Sequence, residues 1–322
     1  MIDIHQLLDK IELIPQDDTL YLVDKLPCGT GMFVCNGNIL YLVPNKENCD
    51  SLGIRTDFLH LETNVYVSAF NTSVSSFENG YYNYVELLLS KMQGPEEDLS
   101  AFINLCMAHA SYMAGREFIP FFDSLVSLFQ LPKEQNYKNL IGLMGELLFI
   151  EFMYNEHGVD LSPFWHSEGS ASKLDFVCPR VSFEVKTTAN DSMCFTIKHN
   201  QLFDTSGEVY LVAASINEDN AGRTLDSVIS SLLENTEYCN SLQFAENIEK
   251  EKRRISPVEM KTKRFSLKRI NAYNTKDTNP FVVIPDCVED LSYRLNLLPF
   301  LCTDISNITN ITKIKSKKSC PL

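Results

Sequence analysis

No stretch of this sequence approaches the ~18 to 20 consecutive apolar residues that a membrane helix requires. The opening segment, MIDIHQLLDKIELIPQ, mixes charges with apolar residues from the start, so a soluble, unexported chain is expected. CxxC pairs are absent and no Cys/His cluster has zinc spacing. The ten cysteines, scattered from Cys28 to Cys320, are therefore expected to be buried or free thiols in a reducing cytoplasm. Positive charge is in deficit as well: 28 Lys and Arg face 42 Asp and Glu, a net charge of −14. That balance weighs against a protein that coats nucleic acid through charge alone. Internal repeats and low-complexity stretches are also missing.

What is present is 322 residues, 44% of them apolar, enough for a substantial core in two or three units. Residues 19 to 75 read as strands (TLYLVDKL, GMFVCNGNILYLVP, NVYVSAF), with Asn36-Gly37-Asn38 as a hairpin turn. From Tyr82 to Gln130 the pattern predicts helices over YVELLLSKM, LSAFINLCMAHASYM and FFDSLVSLF, separated by the turn-like GPEED and REFIP. Residues 264 to 298 hold three strand-like runs, RFSLKRINAY, PFVVIP and LSYRLNL. Basic residues gather locally: nine lie between Lys250 and Arg269, among them Lys261, Lys263 and Arg264, and the tail adds Lys313, Lys315, Lys317 and Lys318. A cationic surface on an acidic body is expected from them.

The middle of the chain differs in character. Residues 138 to 154, KNLIGLMGELLFIEFMY, predict a helix buried on most sides that carries one conspicuous carboxylate, Glu146. After a loop come KLDFVC and VSFEVKTT, then MCFTIKH, a helix start at HNQLFDT and the apolar strand EVYLVAAS. Helix, three strands, helix, strand is a compact α/β order. If the first two strands form a hairpin about Pro179-Arg180, alternation puts Leu174, Phe176, Cys178, Val181, Phe183 and Val185 on one face. Asp175, Val177, Ser182, Glu184 and Lys186 fall on the other. Proline cannot take the positive φ of a tight two-residue loop, so a longer loop on a type I turn is expected. Asp175 and Glu184 placed opposite each other would bring two carboxylates within ~5 Å at Cβ, which is destabilising unless a cation lies between them. Mg²⁺ is held by one or two carboxylates plus waters and phosphate oxygens, and Lys186 on the same face could orient a water or offset charge on a scissile phosphate. Those residue types at that spacing meet the needs of phosphodiester hydrolysis.

Asp175, then Glu184-Val185-Lys186 within SFEVKTT, preceded by the helix LMGELLFIEF, resembles the PD-(D/E)XK nuclease superfamily. More narrowly, GLMGELLFIEFMY, FWHSEG, LDF, FEVKTT and NQL followed by YLVAAS over residues 137 to 216 resemble the PD-(D/E)XK motif proteins of bacterial anti-phage defence loci. The resemblance implies a restriction-endonuclease-like α/β core with a central mixed sheet flanked by helices. It implies Asp175, Glu184 and the Val185 position as Mg²⁺ ligands, with Mn²⁺ able to substitute, Lys186 as catalytic lysine and Glu146 as helix-borne acid. Gln201, Lys198 and Thr187 would lie near DNA, joined by Lys261, Lys263 and Arg264. It further implies a cytoplasmic DNA endonuclease with ATPase or helicase-like partner subunits and scope for a homo-oligomer. Leu174 stands where the superfamily's name has proline.

The expected organisation is an N-terminal β-rich unit (1–78), a helical connector (79–136), the nuclease core (137–255) and a basic C-terminal region with strands and tail (256–322). Other readings stay open. Asp175 and Glu184 could form an exposed polar face paired with Lys186 or Lys173, Glu146 could pair with a core Arg or Lys, and Gln201 could simply start a helix. The basic cluster could be a solvated face, and Trp165 and His166 ordinary packing. Two rival readings are a non-cleaving DNA-binding or scaffold subunit, against which the intact Asp175, Glu184 and Lys186 argue, and a nuclease that processes branched or modified structures; RNA also stays open as the substrate.

Overall fold

The computed structural model describes residues 4–45, 51–68, 72, 78–91, 95–112, 118–130, 137–167, 172–190, 192–202, 207–235, 237–280 and 291–308. The basic tail lysines Lys313, Lys315, Lys317 and Lys318, and PFVVIP beyond Pro280, lie outside these residues. The chain divides into two compact units, Met1–Leu131 and Pro132–Leu322.

In the first unit, α1 (Ile4–Leu13) precedes a six-stranded antiparallel sheet. Its strands are β1 (Tyr21–Lys25), β2 (Gly31–Cys35), β3 (Asn38–Pro44), β4 (Gly53–Arg55), β5 (Leu59–Val67) and β6 (Gly80–Leu87), in the order β1-β2-β3-β6-β5-β4. The Asn36-Gly37 loop forms as expected, with φ of 50° and 73° at its two residues and Cys35 paired with Asn38. YVELLLSKM does not form the expected α-helix: its first half is β6, which pairs with β3 and β5 and buries Val85 and Leu87, and Leu89–Lys91 makes a 3-10 turn. Helices follow, α2 (Pro95–Tyr112) and α3 (Phe118–Gln130). The turn-like GPEED is a helix start, since Pro95 opens α2 and Glu96, Glu97 and Asp98 occupy its first turn.

The second unit is mixed α/β. It comprises α4 (Tyr137–His157), β7 (Phe176–Cys178), β8 (Val181–Thr188), β9 (Cys194–Lys198), β10 (Glu208–Thr224), α5 (Leu225–Leu233), α6 (Leu242–Lys252), α7 (Pro257–Thr262), β11 (Arg264–Asn274), α8 (Thr275–Thr278) and β12 (Ser292–Asn296). The central sheet runs β11-β10-β8-β7, with β8 and β10 parallel and the outer pairs antiparallel. Because β11 belongs to this sheet, the expected boundary at residue 255 does not separate a core from an extension. The third expected strand, β9, pairs with β12 in a ribbon of its own. At the expected helix start the chain makes a 3-10 turn, His199–Leu202.

Alternation sorts the sheet into two faces. Phe176, Phe183, Val185, Tyr210, Val212 and Ala214 pack with α4, α5 and α6 in the main core. Leu211 and Ala213 face the ribbon's Phe195, Ile197 and Leu295. The β7–β8 register is the predicted one, Phe176 to Phe183 and Cys178 to Val181, but the loop has only two residues. Arg180 supplies the positive φ, 78°, at the position after proline, so the turn that proline permits is of the type II kind.

Helix α4 lies against this hairpin because Phe149 meets Phe176 and Phe183 edge-on at ring distances of 5.6 and 5.4 Å. One turn earlier, a Cβ at Gly145 would fall 1.8 Å from Thr187 Oγ1 and 2.8 Å from its Cβ. Glycine here is needed for closeness of approach. Gly145→Ala should destabilise the protein by about 1 to 3 kcal/mol, the usual cost of overpacking, measured by urea unfolding. Unchanged stability would mean that α4 does not rest on β8 as described.

Candidate active site

The strand β8 delivers Glu184 and Lys186 to the face that the β9–β12 ribbon covers, and Asp175 stands one residue ahead of β7. Asp175 does not merely oppose Glu184 across the hairpin. Its Oδ2 accepts the Val185 amide proton at 2.7 Å, which fixes this carboxylate against the β8 backbone between Glu184 and Lys186. The Asp175 carbonyl in turn accepts the His166 amide at 2.8 Å.

Glu184 is 1% exposed, which rules out the solvent-facing polar surface. Its Oε1 accepts hydrogen bonds from Lys186 Nζ and Gln201 Nε2, each at 2.5 Å. Its Oε2 is buried with no hydrogen-bond partner. Burial, reinforced by the Asp175 charge, pushes the Glu184 carboxyl up to about 8 against the pull of Lys186. Burial opposes the Lys186 charge, yet Glu184, Asp175 and Glu146 hold its pKa above the ordinary lysine value.

Glu146 comes from α4, and its Oε2 accepts the indole Nε1–H of Trp165 at 2.7 Å. The partner here is a neutral donor, not the core Arg or Lys that the sequence left open. Burial and then the charge of Asp175 push this carboxyl well above its usual range, while the indole hydrogen bond draws it back. Gln201 belongs to the 3-10 turn and also accepts the Lys198 amide at 3.2 Å, an arrangement that leaves its NH₂ to face Glu184.

Glu146, Asp175, Glu184, Lys186 and Gln201 line one cleft of about 1010 Å³, together with Val185, Thr187 and the ammonium-bearing Lys138, Lys173 and Lys198. Thr187 serves packing first, since its hydroxyl is buried without a partner against Gly145. Lys261, Lys263 and Arg264 do not line the cleft. Lys263 pairs with Glu218 at 2.6 Å and Arg264 donates to the Gly222 carbonyl at 3.1 Å. The basic cluster is further neutralised where Lys252 meets Glu249 and Arg254 meets Glu251. Sequence reasoning missed the Trp165 bond, the need for Gly145, and the place of Lys138 and Lys173 in the cleft. The isolated tryptophan following a glutamate on an apolar helix was the available signal for the first.

Whether these residues suit a metal ion turns on the donor set. Among the described residues, no three His, Cys, Asp or Glu side chains gather as a metal cage. Asp175 and Glu184 share the cleft with Glu146 and Glu251, and the unpartnered Glu184 Oε2 is a free hard oxygen. Two carboxylates, a main-chain carbonyl and otherwise water or phosphate is the donor set of Mg²⁺, so the residues fit.

The family described as "Putative PD-(D/E)XK family member, (DUF4420)" matches residues 124–298. The chain belongs to this family. No curated protein and no solved structure matches it. The family match spans the cleft and every residue assigned to it above. No helix among the described residues is long and apolar enough to cross a membrane.

The buried acids make stability depend on pH. Glu184 holds its proton more tightly in the folded chain than in the unfolded one, so metal-free protein should lose stability as pH rises from about 4.5 through about 8. His166 and His199, lowered by burial, act with the opposite sign below their ordinary 6.5. Melting curves in chelator should therefore fall more steeply over this range for the native protein than for Glu184→Gln. Parallel curves would contradict the burial of an ionisable Glu184.

Proposed function

We propose that this chain is a metal-dependent nuclease that hydrolyses DNA phosphodiester bonds in the Glu184 cleft. The observation that carries the proposal is the buried Glu184 carboxylate, one oxygen held by Lys186 and Gln201 and the other unpartnered beside Asp175. A carboxylate so placed is costly unless a cation shares the space. On this reading the sheet β11-β10-β8-β7 with α4 against it is the restriction-endonuclease-like core.

Asp175, Glu184 and the Val185 carbonyl would hold Mg²⁺, and Mn²⁺ could replace it. When bound, the ion lowers the pKa of a coordinated water and polarises a phosphoryl oxygen. Lys186 offsets charge at the scissile phosphate and keeps the attacking water in line through its three donors. Glu146 is the acid on the α4 side, able to hold or release a proton at its cleft-facing oxygen. Gln201 fixes the Glu184 rotamer. Lys138, Lys173 and Lys198 clamp flanking phosphates, which lets a chain of net charge −14 bind a polyanion locally. Lys261, Lys263 and Arg264, with two of the three already engaged, would reach only DNA extending beyond the cleft. The resemblance to defence-locus proteins points to invading DNA as substrate and to ATPase or helicase-like partners.

Supercoiled plasmid incubated with Mg²⁺ or Mn²⁺ tests the proposal. Native protein should nick or cut it, and Asp175→Ala and Lys186→Ala should each lower the rate by about 100-fold or more, as loss of a group stabilising transition-state charge does. Equal cutting by all three proteins would place the activity outside this cleft, and no cutting by the native protein on plasmid, linear, branched or RNA substrates would defeat the proposal in favour of a binding or scaffold role.

A further inference from the structure

The Glu146–Trp165 contact joins two segments 19 residues apart through a single hydrogen bond. Trp165 is itself locked from several directions. Its carbonyl accepts the Asn247 Nδ2 proton from α6 at 3.0 Å, its backbone bridges to Phe176, and its ring leans on Phe244 at 5.5 Å. Asn247 is buried, and its Oδ1 accepts the Ser167 hydroxyl at 3.3 Å. A side chain held so firmly dictates where its one polar atom points. The bond consumes Glu146 Oε2. The other oxygen, Oε1, is not among the buried atoms that lack a partner, and Glu146 lines the cleft.

We propose that Trp165 is a positioning residue: its indole N–H clamps Oε2 of Glu146, so that Oε1 is presented to the cleft in one fixed orientation referenced to α6. The proposal rests on the nuclease reading for its kinetic consequence, but not for its geometry. A neutral donor suits this task. An Arg or Lys in the same place would orient the carboxyl and also add a positive charge to the cleft, whereas the indole orients it and adds none. Packing alone would not require tryptophan, since the Phe244 contact could be made by any aromatic ring.

Trp165 is the one tryptophan in the chain, so a ¹H–¹⁵N spectrum of the native protein contains a single indole cross-peak. That peak should lie downfield and exchange slowly, move upfield in Glu146→Leu, and broaden when Mn²⁺ is added. An indole peak at the position of free tryptophan, or one indifferent to Glu146→Leu, overturns the clamp whether or not the protein cuts DNA. The functional arm replaces Trp165 with 3-benzothienylalanine, which keeps the fused-ring shape and carries sulfur in place of N–H. With Mg²⁺ and plasmid, kcat should fall about tenfold to 100-fold with KM within about twofold, the signature of a displaced reacting group. An unchanged kcat with a lowered melting temperature would show a merely structural bond and overturn the positioning role. Absence of cutting by the native protein would instead count against the nuclease reading, leaving the spectral arm to decide the clamp.

Discussion

A carboxylate removed from water costs several kcal/mol unless opposite charge or donors replace the lost solvation, and neighbouring carboxylates raise that cost for one another. Glu184 is buried and Glu146 partly buried beside Asp175, and the Lys186 ammonium stands among these three acids. The remaining support is dipolar: the Val185 amide for Asp175, the Gln201 amide for Glu184 and the Trp165 indole for Glu146. Such donors orient the carboxyls, while burial and mutual repulsion raise the pKa of Glu184 and Glu146. A small hard cation sharing the space would favour their charged forms, and the rest of the second unit holds the groups close enough for that.

Each structural device in that unit serves closeness. Gly145 lets α4 approach β8 until Thr187 fills the space where a side chain would be, and the next residue along α4 is Glu146. Phe149 then pins the helix across the hairpin. The ribbon of β9 and β12 covers the other face of the sheet and ends in the turn that supplies Gln201. Acids delivered from opposite sides of a sheet can meet in one cleft only if both layers are held tightly. Burial of the apolar face of β7 and β8 provides that hold, with Phe176 and Phe183 fully enclosed.

How much of this could be read beforehand follows from what local pattern encodes. The two-faced hairpin, the apolar helix that carries Glu146 and the Asn36-Gly37 turn are short-range signals, and the structure carries all three. YVELLLSKM failed because Leu, Glu, Lys and Met favour helix, while partners at β3 and β5 impose strand, a tertiary effect invisible in a window. The hairpin loop is shorter than expected because Arg180, behind the proline, takes the positive φ that proline cannot. The basic run from Lys250 to Arg269 looked like a surface for DNA, but its members' partners, Glu218, Glu249 and Glu251, include one more than 40 residues away in sequence. Trp165 looked like packing because nothing in its neighbourhood announces that its N–H reaches a helix 19 residues back. The family match over residues 124–298 is consistent with the core that local patterns had outlined.

The central claim is that Asp175, Glu184 and the Val185 carbonyl together hold one divalent ion. Anomalous scattering from crystals grown with Mn²⁺ measures this most directly, because the manganese position is located independently of any enzymatic assay. The account predicts one strong peak within ~2.3 Å of an oxygen from each of the three, near the short bond lengths of a hard octahedral cation. A map with no peak there, or with manganese bound only elsewhere on the protein, would contradict it.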